Sequence, residues 1–159
     1  MKKAILITTS KGSVSVPDRM KYLNKTERHA VLATAFRGKP YTSIVAFALT
    51  KDMKGALFAT PKDTRKYRNL IKNSHVAILI DNRKNRVRDY MGAESVTILG
   101  TAKAVRRGKR WHELFRIIVR KHPALREFVK APSTALILIE AKRCVHVSQF
   151  QVISEWIVR

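Results

Sequence analysis

Hydrophobic positions along the chain follow two periods, one helical and one alternating, and polar turns separate them. Residues 18–28 place Met20 and Leu23 at helical spacing among charges, just after Pro17, and predict a short amphipathic helix. Residues 29–36 (HAVLATAF) form an apolar run of strand length that closes in Arg37-Gly38-Lys39-Pro40, a hairpin-type turn. The partner strand is predicted at 41–50 (YTSIVAFALT), rich in β-branched and aromatic residues. A third strand follows at 56–60, giving an antiparallel meander. Pro61 ends it, Asp63 or Thr64 can cap a helix over 65–73, and 75–81 (HVAILID) is again a strand. Residues 82–91 break the pattern with four cations against one acid, and 94–105 returns to strand. Residues 110–121 bring Trp111, Leu114, Phe115 and Ile118 onto one helical face, the ordinary signature of core packing. Pro123 breaks that helix, 124–130 predicts a short continuation, and two last strands are predicted at 134–141 and 144–152. Strands dominate and helices do not follow each one. The pattern predicts an α+β, mainly β domain: a six- to seven-stranded antiparallel barrel with flanking helices, not a doubly wound parallel sheet.

Composition sets bounds on that picture. The 159 residues predict one domain, and 45% hydrophobic residues exclude a disordered basic tail. Cys144 is the single cysteine, which excludes an intrachain disulfide framework and fits a reducing cytoplasm. The apolar run over residues 1–7 turns polar at Thr8 and is shorter than a leader core, and no stretch reaches the roughly 20 apolar residues of a membrane span. The expectation is a cytoplasmic protein without a membrane partner. Against this ordinary background the net charge of +22 stands out and attracts polyanions or phosphorylated ligands.

The stretch Phe58-Ala59-Thr60-Pro61-Lys62-Asp63-Thr64-Arg65-Lys66 carries the most chemistry. A strand ends, a polar loop follows, and a helix opens with two cations in its first turn, where the helix dipole disfavours them. A phosphate reverses that penalty, because free N–H groups, Arg65 and Lys66 then converge on it, with Thr60 as a further donor. The alternative is a set of solvated charges on one more basic helix.

Taken with Pro40-Tyr41-Thr42-Ser43-Ile44-Val45-Ala46-Phe47, Leu57-Phe58-Ala59-Thr60, Asn69-Leu70 and Val76-Ala77-Ile78-Leu79-Ile80, that stretch resembles the pyridoxamine 5′-phosphate oxidase-like family of FMN-binding split barrels. The matching block covers about residues 29–105. The resemblance implies a homodimer with FMN at the interface and a flavin-dependent redox reaction on a small molecule. By position, Ser43, Ile44, Val45 and Ala46 would lie along the flavin ring. Ala59 and Thr60 would hold the ribityl-phosphate and Arg65 and Lys66 would grip the phosphate, while Ser95 would reach the ring from the neighbouring subunit. Departures from the oxidase itself point away from pyridoxamine phosphate as substrate. Ser43 stands where the oxidase has an arginine, Ala48 where it has a lysine and Ser95 where it has a glutamine, and its substrate-binding C-terminal segment has no counterpart.

Other features stay open beside this reading. A flavin needs no acid–base dyad, and neither a nucleophile elbow, a P-loop nor a dinucleotide fingerprint is present. The loop from Arg83 to Arg88, with Tyr90 beside it, is the best nucleic-acid feature, and otherwise a solvated loop or a cradle for an acidic substrate or cofactor tail. A basic nucleic-acid-binding barrel without flavin is therefore the runner-up. Relatives that hold deazaflavin or haem are alternatives within the fold, with His146 the candidate haem ligand. Cys144 and His146 form a lone C-x-H, and the five histidines share no ligand spacing. Trp156 lies past the last predicted strand, where it either plugs the barrel or covers a partner's flavin.

Overall fold

The computed structural model describes residue 5 and residues 7–159, so the N-terminal apolar run lies largely outside the described residues. Two-residue turn chemistry sets the first hairpin. Strands β2 (His29–Phe36) and β3 (Lys39–Ala46) pair antiparallel from Phe36↔Lys39 to His29↔Ala46. Between them Arg37 (φ 50°) and Gly38 (φ 72°) both take left-handed backbone, the geometry that matches strand twist in a tight hairpin. Before the hairpin a two-residue β1 (Ser10–Lys11) leads to α1 (Val16–Thr26), whose N-cap Ser15 accepts from the Asp18 N–H and whose Val16, Met20 and Leu23 are buried. After it, β4 (Ala48–Leu49), β5 (Gly55–Pro61), α2 (Arg65–Lys72) and β6 (His75–Asp81) follow.

The predicted strand 41–50 is two strands, because the chain changes partner at Phe47. β3 pairs with β2, whereas β4 pairs with β5. β5 pairs with β8 (Thr134–Ser148), β8 with β7 (Glu94–Ala104), β7 with β6, and β6 with β2, all antiparallel. These pairings close a six-membered barrel through the single passage β3–Phe47–β4. β3 lies beside β5 without sharing a ladder with it, so the barrel is split along that seam. β9 (Val152–Ile157) extends the sheet from β8, and β1 adds parallel to β9, making the whole sheet mixed and nine-stranded.

Two apolar layers hold this together. Inside the barrel, Leu32, Phe47, Phe58, Ile78, Ile80, Ile98, Ile137 and Ile139 pack with Met20 and Leu23 of α1, which covers one end. Outside, α4 (Lys109–Lys121) lays Trp111, Leu114, Phe115 and Ile118 on Ala48, Leu57, Leu136 and Leu138, with Val129 of α5 (Arg126–Lys130) beside them. Residues 135–139 are thus covered on both faces, which is why they read as an unbroken apolar run.

The end of the chain differs from its sequence reading. The predicted strands 134–141 and 144–152 are one strand of 15 residues, β8, followed by a turn and then β9. Lys142 and Arg143, read as a break, are the site of a β-bulge: Gly100 faces Ala141 and Leu99 faces Arg143, leaving Lys142 unpaired. At this bulge β8 exchanges β5 for β9 as its second partner. The true turn, Gln149 and Phe150, is left-handed at both residues (φ 47° and 69°) yet holds no glycine or asparagine, so nothing marked it as a turn. Trp156 lies on β9 opposite Cys144 and packs against the main core, in agreement with a plug. A short helix, α3 (Asp89–Gly92), also forms within the stretch expected to be irregular.

Gly100 is fixed by the bulge, because a Cβ there would lie 2.1 Å from the Glu140 carbonyl oxygen and 2.9 Å from its carbon. Backbone cannot yield cheaply, so Gly100→Ala is expected to cost at least about 2 kcal/mol in urea unfolding. Buried histidines make stability depend on pH. The His122 ring donates from Nε2 to the Phe47 carbonyl (2.8 Å), and burial holds its pKa below the ordinary value despite that bond. Burial also lowers His146, with nearby Glu94 opposing. Unfolded histidine takes up its proton first as pH falls below about 6.5, so the stabilisation present above that pH is lost below it. Urea midpoints are expected to drop between pH 7 and 5, and to drop less in His122→Gln.

Candidate functional site

The strand end, loop and helix that the sequence marked form one turn. Thr64 is the N-cap of α2: its Oγ1 accepts from the Tyr67 N–H at 3.3 Å. Thr60, nearly fully buried, places its Oγ1 2.8 Å from Thr64 Oγ1 and 3.2 Å from the Pro61 carbonyl. The Thr60 hydroxyl is therefore engaged inside the capping turn, and Ala59, one residue earlier, packs against the outer helical layer. Asn69, buried, donates from Nδ2 to Thr34 Oγ1 at 3.1 Å and ties α2 to β2.

The first turn of α2 contains no acid. Arg65 is exposed and its guanidinium lies 4.9 Å over the Tyr41 ring, which joins the helix start to the beginning of β3. Among the described residues no carboxylate forms an ion pair with Arg65 or Lys66. On β3 the side chains alternate. Val45 is buried, whereas Ile44 is 72% exposed on the opposite face. β3 ends the sheet path, so among the described residues the edge of Ser43, Ile44, Val45 and Ala46 that faces away from β2 has no strand partner. Ser43 Oγ is buried without a hydrogen-bond partner. Thus the start of α2 lies beside the beginning of β3 through Arg65 and Tyr41, and the Ser43–Ala46 stretch of that strand borders the split of the barrel.

Ser95 is elsewhere. It lies on β7 opposite Asp81 and Val147, with β6 and β2 between it and β3. There it lines an open hollow of about 320 Å³ with Leu79, Asp81, Tyr90, Val147 and Phe150. Tyr90 and Phe150 meet edge to face at 5.7 Å, a contact with no local signal in the sequence because it needs the unmarked turn after β8. The basic loop beside it is ordered by Asp89. Its Oδ2 accepts from the N–H groups of Lys84 (2.7 Å) and Arg86 (3.1 Å), and these bonds hold its carboxyl below the usual range. Arg83 pairs with Asp81, and beside the loop Tyr90 and Phe150 meet each other while both stay about half exposed.

A row of outward-facing residues links the two places. Ile44, Val31, Leu79, Thr97 and Val145 are register partners across five neighbouring strands. His146 points the other way. It is 2% exposed, neither ring nitrogen has a hydrogen-bond partner, and Nε2 lies 3.8 Å from Glu94, which Arg19 already holds in a two-pronged ion pair. Burial pushes the Cys144 thiol up to about 12, which opposes the thiolate that a metal would need, and among the described residues no three His, Cys, Asp or Glu side chains cluster to hold one. Among the described residues no helix is long and apolar enough to cross a membrane.

Comparison with solved structures bears out the split-barrel architecture. The chain is similar to a haem-binding protein from Mycobacterium smegmatis (TM-score 0.80, 15% identity), covering 92% of this chain and 59% of that one. The match thus spans 59% of that protein's length. The chain is also similar to HutZ, a haem storage protein from Vibrio cholerae (TM-score 0.68, 17% identity, 80% of this chain and 91% of that one). A third similar structure is General Stress Protein 26 from Bacillus anthracis (TM-score 0.64, 17% identity, 84% and 95%). No curated protein matches the sequence. The family model described as pyridoxamine 5′-phosphate oxidase matches residues 16–148, nearly the whole barrel, and the chain belongs to that family.

Proposed function

We propose that the corner between β3 and the start of α2 binds FMN, and that the protein is a flavin-dependent oxidoreductase acting on a small molecule other than pyridoxamine 5′-phosphate. The observation that carries this reading is a pair of cations, Arg65 and Lys66, that among the described residues have no carboxylate partner and sit at a helix N-terminus beside a strand edge that no described strand pairs. The residues present fit the group. The helix start supplies N–H groups and positive charge for a phosphate dianion, and the β3 edge supplies backbone donors and acceptors of the kind a flavin ring requires. The orphaned Ser43 hydroxyl adds one more polar group in need of a partner.

In this assignment Arg65 and Lys66 neutralise the phosphate and Thr64 fixes the helix start that carries them. Thr60 acts through Thr64, Ala59 lies at the strand end that meets the ribityl-phosphate, and the backbone of Ser43, Ile44, Val45 and Ala46 bounds the ring site. FMN, when bound, supplies the hydride and electron chemistry, so the protein needs no acid–base pair of its own.

Two copies complete the site. Ser95 and the Tyr90–Phe150 hollow lie across the sheet from β3, too far along the strand order to serve the same chain's corner, and the outward row from Ile44 to Val145 is the apolar face that a second copy would cover. A homodimer brings the partner's hollow toward each flavin. The runner-up, a basic barrel that binds nucleic acid, is less well supported, because the two aromatic rings beside that loop, Tyr90 and Phe150, fall short of the several that a single-strand platform uses.

Haem is a second reading with its own observation. His29 is exposed and lines a hollow of about 230 Å³ with Ile44, Arg28 and Arg83. It is a more accessible imidazole than the buried His146.

Replacing Arg65 and Lys66 together with Ala removes two charge-assisted contacts of about 1.5–3 kcal/mol each, so FMN affinity is expected to fall roughly 100-fold or more by titration. Unchanged affinity would refute the phosphate assignment. The visible spectrum of the protein with each cofactor added separates the two readings, a flavin spectrum supporting FMN and a Soret band that is lost in His29→Ala supporting haem. Ile44→Glu, on an exposed position, is expected to leave the monomer folded, shift gel filtration from dimer to monomer and weaken FMN retention.

A further inference from the structure

Away from the cofactor corner, α1, β4 and α4 enclose a hollow of about 280 Å³. Ala48, Leu49 and Ile117 line it with apolar groups, and Lys25, Lys51 and Arg120 stand around it. No carboxylate lines this hollow among the described residues, and Asn24 is the neutral polar group in it. Lys121 also lines it. Its Nζ lies 3.2 Å from Asn24 Oδ1 and 3.5 Å over the Phe47 ring, so the amine is held at a fixed place against an aromatic floor.

The electrostatics of that amine are unusual. Burial and the neighbouring Arg28 push the Lys121 pKa down to about 7, with Glu27 pulling weakly the other way. Glu27 in turn lies 3.8 Å from Lys84. His122, the next residue, faces the Phe47 carbonyl and is itself kept neutral by burial. Burial therefore shifts Lys121 toward the free amine relative to an ordinary lysine, which is almost entirely protonated at neutral pH, against the pull of the Phe47 ring and Asn24 Oδ1 toward the ammonium. A free amine held in an apolar pocket is a nucleophile for carbonyl carbon.

We propose that this hollow is a second small-molecule site, in which Lys121 captures an anionic aldehyde as an imine while Lys25, Lys51 and Arg120 hold its anionic group. Lys121 Nζ attacks the carbonyl carbon and a C–N bond forms. The carbonyl oxygen leaves as water with the two protons of the amine, and the step is neither an oxidation nor a reduction. Hydrolysis reverses it, so the capture is reversible and independent of the flavin.

The test uses 4-formylbenzoate as the anionic probe and benzaldehyde as its neutral counterpart, each with cyanoborohydride at pH 7 to fix the imine, followed by peptide mass mapping of the full-length protein. Lys121 is expected to label at least about tenfold faster than the other lysines, because they hold far less free amine at that pH. It is also expected to label several-fold faster with 4-formylbenzoate than with benzaldehyde. Labelling spread evenly over the lysines, or equal rates with the two aldehydes, would overturn the proposal. Lys121→Arg should remove that label. A Lys25→Gln, Arg120→Gln variant leaves the amine in place and should lose only the preference for the carboxylate, and a retained preference would refute the role of the cations.

Discussion

One strand cannot hydrogen-bond along its whole length to two diverging neighbours, and the architecture of this protein turns on that constraint. The segment from Lys39 to Leu49 begins as the partner of β2 and ends as the partner of β5, with the buried Phe47 at the changeover. The changeover closes the barrel and leaves the β3 edge without a ladder. A closed barrel without a split would satisfy those backbone groups internally and offer no edge to a ligand. The same residue holds α4 in place, since its carbonyl accepts from His122 and its ring lies under Lys121.

A second accommodation, at the far side of the barrel, complements the first. β8 must pair with β5 in its first half and β9 in its second, and the bulge at Lys142 opposite Gly100 makes the exchange possible. The bulge also shifts the alternation of β8, so that Ala141 and Cys144, three apart, are both buried. His146, two residues further on, follows Cys144 inward beneath α1. That orientation is why the histidine that looked most like a haem ligand in the sequence is shielded from outside ligands.

Charge is distributed unevenly between these parts. With 33 basic and 11 acidic residues, most cations have no acidic partner to find. The acids that exist are spent on structure: Glu94 on Arg19, Asp89 on the loop before α3, Asp52 on the Thr50 hydroxyl and the Lys54 N–H. Among the described residues no carboxylate pairs with Arg65 or Lys66 or lines the Lys121 hollow, and such places suit anionic ligands because binding relieves repulsion already present. Solvated surface pairs elsewhere, such as Lys103–Glu140, contribute little to stability by comparison.

The sequence by itself determined the order of the elements, since apolar period and turn chemistry are local properties. The hairpin at Arg37-Gly38, the capped helix start at Thr64 and the helical face of Trp111, Leu114, Phe115 and Ile118 were all legible there. So was the candidate phosphate grip, because cations in the first turn of a helix are anomalous without reference to the fold. Partner exchange along a strand leaves no such mark. The division of 41–50, the fusion of 134–148 and the glycine-free turn at Gln149 and Phe150 depend on which distant strand lies alongside, and only the tertiary structure decided them. It also decided that Thr60 spends its hydroxyl inside a cap, that Ser95 sits across the sheet from β3, and that Lys121 is half-buried near Arg28 with its amine against an aromatic ring. Those facts set the chemistry of the sites, and they arise from contacts between residues far apart in the chain.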